Sequence, residues 1–114
     1  MKKELVKLIT PLIIISFIIV AIIIINNNKQ ETSSEIAKCI GKNSELYMQA
    51  GCPHCILQEQ EFGKNIKYLN ITDCFYEEEK CIQKGINHTP TWVISEKTYI
   101  GFQSLETLQN LTGC

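Results

Sequence analysis

The chain has 114 residues, a formal net charge of −1 and 45% hydrophobic residues, a length that suits one domain rather than two. All eleven basic residues are lysines and they form no stripe that would neutralise a row of phosphates, so nucleic-acid binding is not expected. Six cysteines in so short a chain suggest a small domain that supplements a modest core with cross-links.

Residues 1–25 read as a membrane anchor. Lys2, Lys3 and Lys7 outnumber Glu4, and the 18 residues from Leu8 to Ile25 are apolar except for Thr10, Pro11 and Ser16. That run is near the lower limit for spanning hydrocarbon as a helix. Pro11 is expected in the first turn, where a missing N–H is tolerated. A cleaved signal peptide would have an apolar stretch of about 7–15 residues ending in a small-x-small site, and Ile22 to Asn26 offers none. Cys39 lies far beyond the run and follows Lys38, which does not suit a lipoprotein signal. Positive flanks stay in the cytoplasm, so a single-pass arrangement would put everything after Ile25 outside it, where disulfides are permitted. Residues 26–35 (NNNKQETSSE) are polar and aperiodic and read as a linker that tethers the domain to the membrane.

Residues 36–114 read as one small α/β domain. Ser33 or Ser34 is expected to cap a short helix through Ile36, Ala37, Cys39 and Ile40, ending near Gly41. Glu45 to Ala50 reads as a strand broken by Gly51. A helix is expected from Pro53 through Ile56, Leu57 and Phe62 to Gly63. Ile66 to Thr72 reads as a second strand, followed by a helix over about 77–84 closed by Gly85. Thr91 to Ser95 and Thr98 to Phe102 read as a hairpin. Ser104 is expected to cap a last helix bearing Leu105, Leu108 and Leu111. A βαβ unit followed by a hairpin implies a mixed four-stranded sheet flanked by helices.

Cys52-Pro53-His54-Cys55 carries the sharpest chemical signal. Two cysteines three apart at a strand-to-helix junction share the first helical turn, close enough to bridge. The helix N-terminus aims unpaired N–H groups and partial positive charge at Cys52, which favours its thiolate. Such motifs depress a cysteine pKa into roughly the 3.5–7.5 range. Pro53 is pre-set for the first helical position, and His54 can add a hydrogen bond or charge. An inert disulfide is the bland alternative. A copper or zinc site using Cys52, His54 and Cys55 is another, although a zinc ribbon usually brings a second C-x-x-C pair. Thr89-Pro90 stands just before a strand, a place that suits a cis proline in a tight turn. Trp92 reads as core and His88 as a surface loop residue. The Glu77-Glu78-Glu79 run reads as a solvated helix start.

The stretches AGCPHC, LQEQEFG, TPTWVI and TYIGFQSLETL resemble the thioredoxin-like domain fused to vitamin K epoxide reductase homologues, over nearly the whole of residues 36–114. CPHC is also the motif of the bacterial periplasmic oxidant DsbA. The resemblance implies a thioredoxin-like fold, Cys52 as exposed nucleophile, Cys55 as resolving cysteine, and Pro90, with Thr89, as the cis-proline turn that holds substrate backbone. One departure is that many thioredoxins place a buried acid six residues before the first cysteine, where this chain has Leu46. Glu45 would face the other way by strand alternation, so Cys55 would lose its proton to water or to a substrate group. The resemblance also implies disulfides Cys39–Cys114 and Cys74–Cys81 among the three possible pairings of those four. The second requires Cys74 to lie before the helix that holds Cys81, since seven residues of helix span about 10 Å and a bridge tolerates about 7 Å between Cα atoms.

The implied function is a membrane-tethered, extracytoplasmic thiol–disulfide oxidoreductase that oxidises protein thiols, needs no cofactor or metal beyond the Cys52–Cys55 disulfide, and is reoxidised by a membrane partner such as a vitamin K epoxide reductase homologue or a DsbB-like protein. A reductase or isomerase of the same fold, a Cys/His metal chaperone, and a non-enzymatic structural module are the alternatives.

Overall fold

The computed structural model describes residues 1–27 and 32–114, in two units, Met1–Gln30 and Glu31–Cys114. The first unit is helix α1, Lys2–Asn27. Its Lys2–Ile25 stretch is long and apolar enough to cross a membrane, with a mean hydropathy of 3.2 over its most apolar 18 residues. Apolar residues on every side of a helix leave it no face that prefers water. The polar flank is helical too, with Lys7 paired to Glu4 at 3.3 Å. Pro11 therefore lies well inside the helix and not in its first turn. One turn of α1 loses a backbone donor there, beside a Thr10 hydroxyl that donates to the Val6 carbonyl at 3.0 Å.

The linker expected over 26–35 is shorter at both ends. Asn27 still belongs to α1, and Thr32 belongs to the second unit. Thr32 is buried, its hydroxyl donates to the Glu61 carbonyl at 2.8 Å, and its carbonyl accepts from Asn65 Nδ2 at 2.6 Å. Residues 28–31 lie outside the described residues.

The second unit comprises α2 (Ser34–Asn43), β1 (Glu45–Met48), α3 (Pro53–Phe62), β2 (Ile71–Asp73), α4 (Glu78–Gln83), β3 (Thr91–Ile94), β4 (Lys97–Ile100) and α5 (Leu105–Thr112). The sheet order is β2-β1-β3-β4. β1 and β2 run parallel, pairing Leu46 with Ile71. β3 is antiparallel to β1, pairing Trp92 with Leu46, and β4 closes the hairpin. A βαβ unit joined through its first strand to a hairpin, with helices around the sheet, is a thioredoxin-like fold. Its core is Ala37, Ile40, Leu46, Met48, Cys55, Phe62, Leu69, Trp92, Ile94 and Leu108, with the Phe62 and Trp92 rings 6.1 Å apart.

Two elements differ from the sequence reading, for steric and hydrogen-bonding reasons. Ser33 caps α2 by accepting the Ile36 N–H, but Gly41 does not end that helix. A Cβ on Gly41 would collide with the Tyr68 carbonyl oxygen, so the glycine is there for a close backbone crossing. The segment crossed, Gly63–Tyr68, is a 3-10 helix and not the start of a strand. Ile66 and Leu69, three apart, both face the core. That spacing matches three residues per turn, and the Leu69 N–H donates to the Ile66 carbonyl at 3.0 Å. The second strand is thereby confined to Ile71–Asp73.

Candidate active site

Cys52 is the N-cap of α3, and Pro53 takes the first helical position. Gly51, at φ 81°, turns the chain from β1 into the helix. The Cys52 N–H donates to the Gln49 carbonyl at 3.2 Å. The sulfur of Cys52 accepts the Cys55 N–H at 3.3 Å, one of the donors that a helix start leaves without an internal partner. On its other side the Cys52 thiol meets the Thr89 carbonyl at 3.4 Å. The Thr89–Pro90 peptide is cis. Thus the C-x-x-C turn and the proline turn, almost forty residues apart in sequence, share one short contact.

The two cysteines are unpaired thiols with different surroundings: Cys52 is half-buried, while Cys55 is buried in the core. Partial burial pushes the Cys52 thiol up. Hydrogen bonds from the Cys55 thiol, the Thr89 side chain and the backbone N–H groups of Cys55 and His54 outweigh that and hold it below the usual cysteine value. Burial pushes Cys55 up to about 11, with the hydrogen bond to Cys52 and the charge of its thiolate acting in the same direction. One sulfur is therefore a ready nucleophile and the other a thiol that keeps its proton near neutral pH.

The surroundings hold this turn in place. Asp73 Oδ1, at the end of β2, accepts the N–H groups of Ala50 at 3.4 Å and Phe75 at 2.9 Å. The Cys74 N–H donates to the Met48 carbonyl at 2.7 Å. The Pro90 carbonyl accepts the Gly101 N–H at 2.7 Å, which brings the exposed residues Ile100 and Phe102 alongside the proline. His54 is exposed, and His88 is an exposed loop residue whose carbonyl accepts the Thr91 hydroxyl at 2.6 Å. Leu46, at the position of the missing acid, is fully buried. Glu45 turns the other way, accepting the Tyr47 hydroxyl at 2.6 Å and pairing with Lys84 at 3.5 Å.

The other four cysteines are disulfide-bonded. Cys39 of α2 pairs with Cys114 after α5, and Cys74 after β2 pairs with Cys81 of α4, each at a normal Cα separation of 5.9 and 5.8 Å. Cys74 lies outside α4. Among the described residues, no three His, Cys, Asp or Glu side chains come together to hold a metal ion.

Sequence reasoning missed Gln58. It is fully buried on α3 between Cys55 and Phe62. Its Oε1 accepts the Trp92 indole N–H at 3.0 Å and the Gln103 N–H at 2.8 Å, and its Nε2 donates to the Gln103 carbonyl at 2.9 Å. Its helical spacing from Cys55 and Phe62 was the available signal: 55, 58 and 62 make one inward stripe, and a polar member of such a stripe must find partners.

A reduced dithiol at a helix mouth, facing a cis proline on a thioredoxin-like fold, defines a site suited to thiol–disulfide exchange. A known relative agrees in class. Over 79 residues the chain is 32% identical to the thiol-disulfide oxidoreductase LTO1 of Arabidopsis thaliana, a match covering 61% of this chain and 21% of that protein. The chain thus spans about a fifth of its relative's length. Among solved structures, the alkylhydroperoxide reductase component AhpF of Enterococcus faecalis superposes on 72% of this chain and 45% of its own, with a TM-score of 0.44 and 18% identity. No family model matches the chain.

Proposed function

We propose that this chain is a membrane-tethered thiol–disulfide oxidoreductase that oxidises protein thiols outside the cytoplasm through Cys52 and Cys55. The seat of Cys52 carries the reading: a half-buried sulfur capping α3 and lying 3.4 Å from the carbonyl that precedes Pro90. Similarity to a thiol-disulfide oxidoreductase supports the reaction class. The apolar α1 and the lysines before it support a single-pass anchor with the N-terminus in the cytoplasm.

In the oxidising cycle a substrate thiolate attacks Cys52 of the Cys52–Cys55 disulfide. The substrate–Cys52 bond forms, the Cys52–Cys55 bond breaks, and Cys55 leaves with the electron pair and takes up a proton. A second substrate thiolate then attacks the substrate sulfur of the mixed disulfide and releases Cys52 as thiolate. The substrate gains a disulfide and the enzyme holds the two electrons as a dithiol. A low thiol pKa makes Cys52 the better leaving group in that second step. Burial also favours the protonated thiol of Cys55, which slows its attack on the mixed disulfide at neutral pH and favours substrate oxidation over reversal. The Thr89–Pro90 turn offers backbone for strand-like pairing with an extended substrate. A membrane-embedded thiol oxidant, such as a vitamin K epoxide reductase homologue or a DsbB-like protein, would accept the two electrons and restore the bridge.

Equilibration of the full-length chain against glutathione buffers, read as the alkylated fraction of Cys52, tests this. Potentials of this fold class run from about −120 to −270 mV. The proposal expects a value above about −250 mV, together with catalysis of disulfide formation in a reduced protein. A lower value would make the chain a reductase, and the absence of exchange would remove the activity altogether.

A further inference from the structure

Hydrogen bonds around the dithiol close into a circuit that passes through one buried side chain. The Cys52 thiol meets the Thr89 carbonyl at 3.4 Å, and the Pro90 carbonyl accepts the Gly101 N–H at 2.7 Å. Two residues further on, Gln103 exchanges both of its backbone groups with the Gln58 amide at 2.8 and 2.9 Å. Gln58 sits one turn after Cys55 on α3, the helix that Cys52 caps. Trp92, two residues after Pro90, ties β3 to the same Gln58 oxygen at 3.0 Å.

We propose that Gln58 is a positioning residue that sets the reach between the Cys52 sulfur and the Thr89–Pro90 turn, by fixing α3 at once to Trp92 of β3 and to the backbone of Gln103. The inference rests on the oxidoreductase reading. Its physical basis is directionality. Apolar contacts alone let a helix slide or roll slightly on a sheet. An amide that uses both lone pairs of its oxygen and one of its N–H groups on two separate segments does not. Of the groups that hold the Cys52 thiol low, Thr89 stands on the other side of the cleft and acts over a short, steep distance, so a small shift of α3 against the proline turn weakens it. None of Gln58's own hydrogen bonds goes to a sulfur; it acts through the backbone it anchors.

The test is the pH profile of Cys52 alkylation by iodoacetamide in the reduced full-length chain, read peptide by peptide, for wild type, Gln58→Met and Trp92→Phe, with melting temperatures taken alongside. Methionine keeps the length and apolar body of glutamine but none of its hydrogen bonds. Gln58→Met is expected to move the Cys52 midpoint up by roughly half to one pH unit, which is about three- to tenfold slower alkylation at any pH below the wild-type midpoint. Trp92→Phe, which leaves the Gln58–Gln103 pair intact, is expected to move it the same way by less. A folded Gln58→Met with the wild-type midpoint overturns the inference. Should Gln58→Met fail to fold, Trp92→Phe with the wild-type midpoint overturns it equally, because the circuit then contributes stability alone. A wild-type Cys52 that titrates as an ordinary thiol would instead defeat the oxidoreductase reading, whatever Gln58 does.

Discussion

Cys52 follows β1 and Cys74 follows β2, its parallel neighbour, and each strand leads into a helix that holds the second cysteine of the pair. Cys52 and Cys55 are free thiols, whereas Cys74 and Cys81 are bridged. Their seats differ. Cys52 caps its helix, and its sulfur accepts the N–H of its own partner cysteine. Cys74 stands in a turn ahead of α4, whose N-cap, Glu77, makes no side-chain capping bond. The Cys74 sulfur is bonded to that of Cys81, and the bridge closes a loop carrying the exposed aromatic pair Phe75 and Tyr76. Opening the Cys52–Cys55 bridge frees two residues already ordered by α3. Opening the Cys74–Cys81 bridge frees a loop. The contrast teaches that a cysteine's chemistry follows from which backbone donors its sulfur meets, more than from its place after a strand.

Breaking each pair separately tests that contrast. The largest effect is expected from Cys52→Ser, with thiol–disulfide exchange falling on the order of a thousandfold or more because the nucleophile is gone. Cys55→Ser is expected to leave Cys52 able to attack a disulfide substrate, one substrate sulfur departing as thiolate, and to accumulate the resulting mixed disulfide, visible on a non-reducing gel. If either variant keeps the full exchange rate, the dithiol is not the site. The structural bridges should show the reverse pattern, a stability loss with exchange by the folded protein largely kept. Removing Cys39–Cys114, a separation of 75 residues, is expected to cost about 4 kcal/mol in a denaturant melt. Removing Cys74–Cys81, a separation of 7, is expected to cost about 2 kcal/mol. Loss of exchange in folded Cys74→Ala/Cys81→Ala, beyond a factor of about three, would make that pair part of the electron path rather than a clamp.

Much of this site is readable from local residues. Gly51 breaks β1, Pro53 begins a helix, and the cysteine between them has one natural place, the cap. The hairpin and α5 are equally local, since Ser104 and Gly113 mark the ends of the last helix. What was not legible depends on residues far apart. Gly41 looks like a helix stop until the Tyr68 backbone is seen crossing it. Alternation around Ile66 suggests a strand until Asn65 is seen bonded to the Thr32 carbonyl. Gln58 opens the polar run Gln58-Glu59-Gln60-Glu61, and although its spacing from Cys55 and Phe62 points inward, the partners that satisfy it, Trp92 and Gln103, lie 34 and 45 residues away.

Cys52 and Cys55 differ in acidity, and rates of alkylation against pH in the reduced full-length chain measure that asymmetry directly. A thiol reacts as its thiolate, so a lowered pKa moves the rise of the profile to lower pH and a raised one moves it higher. Cys52 is expected to rise below the ordinary thiol value of 9.0, while Cys55 stays nearly unreactive until the pH nears about 11. Two overlapping profiles with midpoints near 9.0, or Cys55 reacting before Cys52, would contradict it.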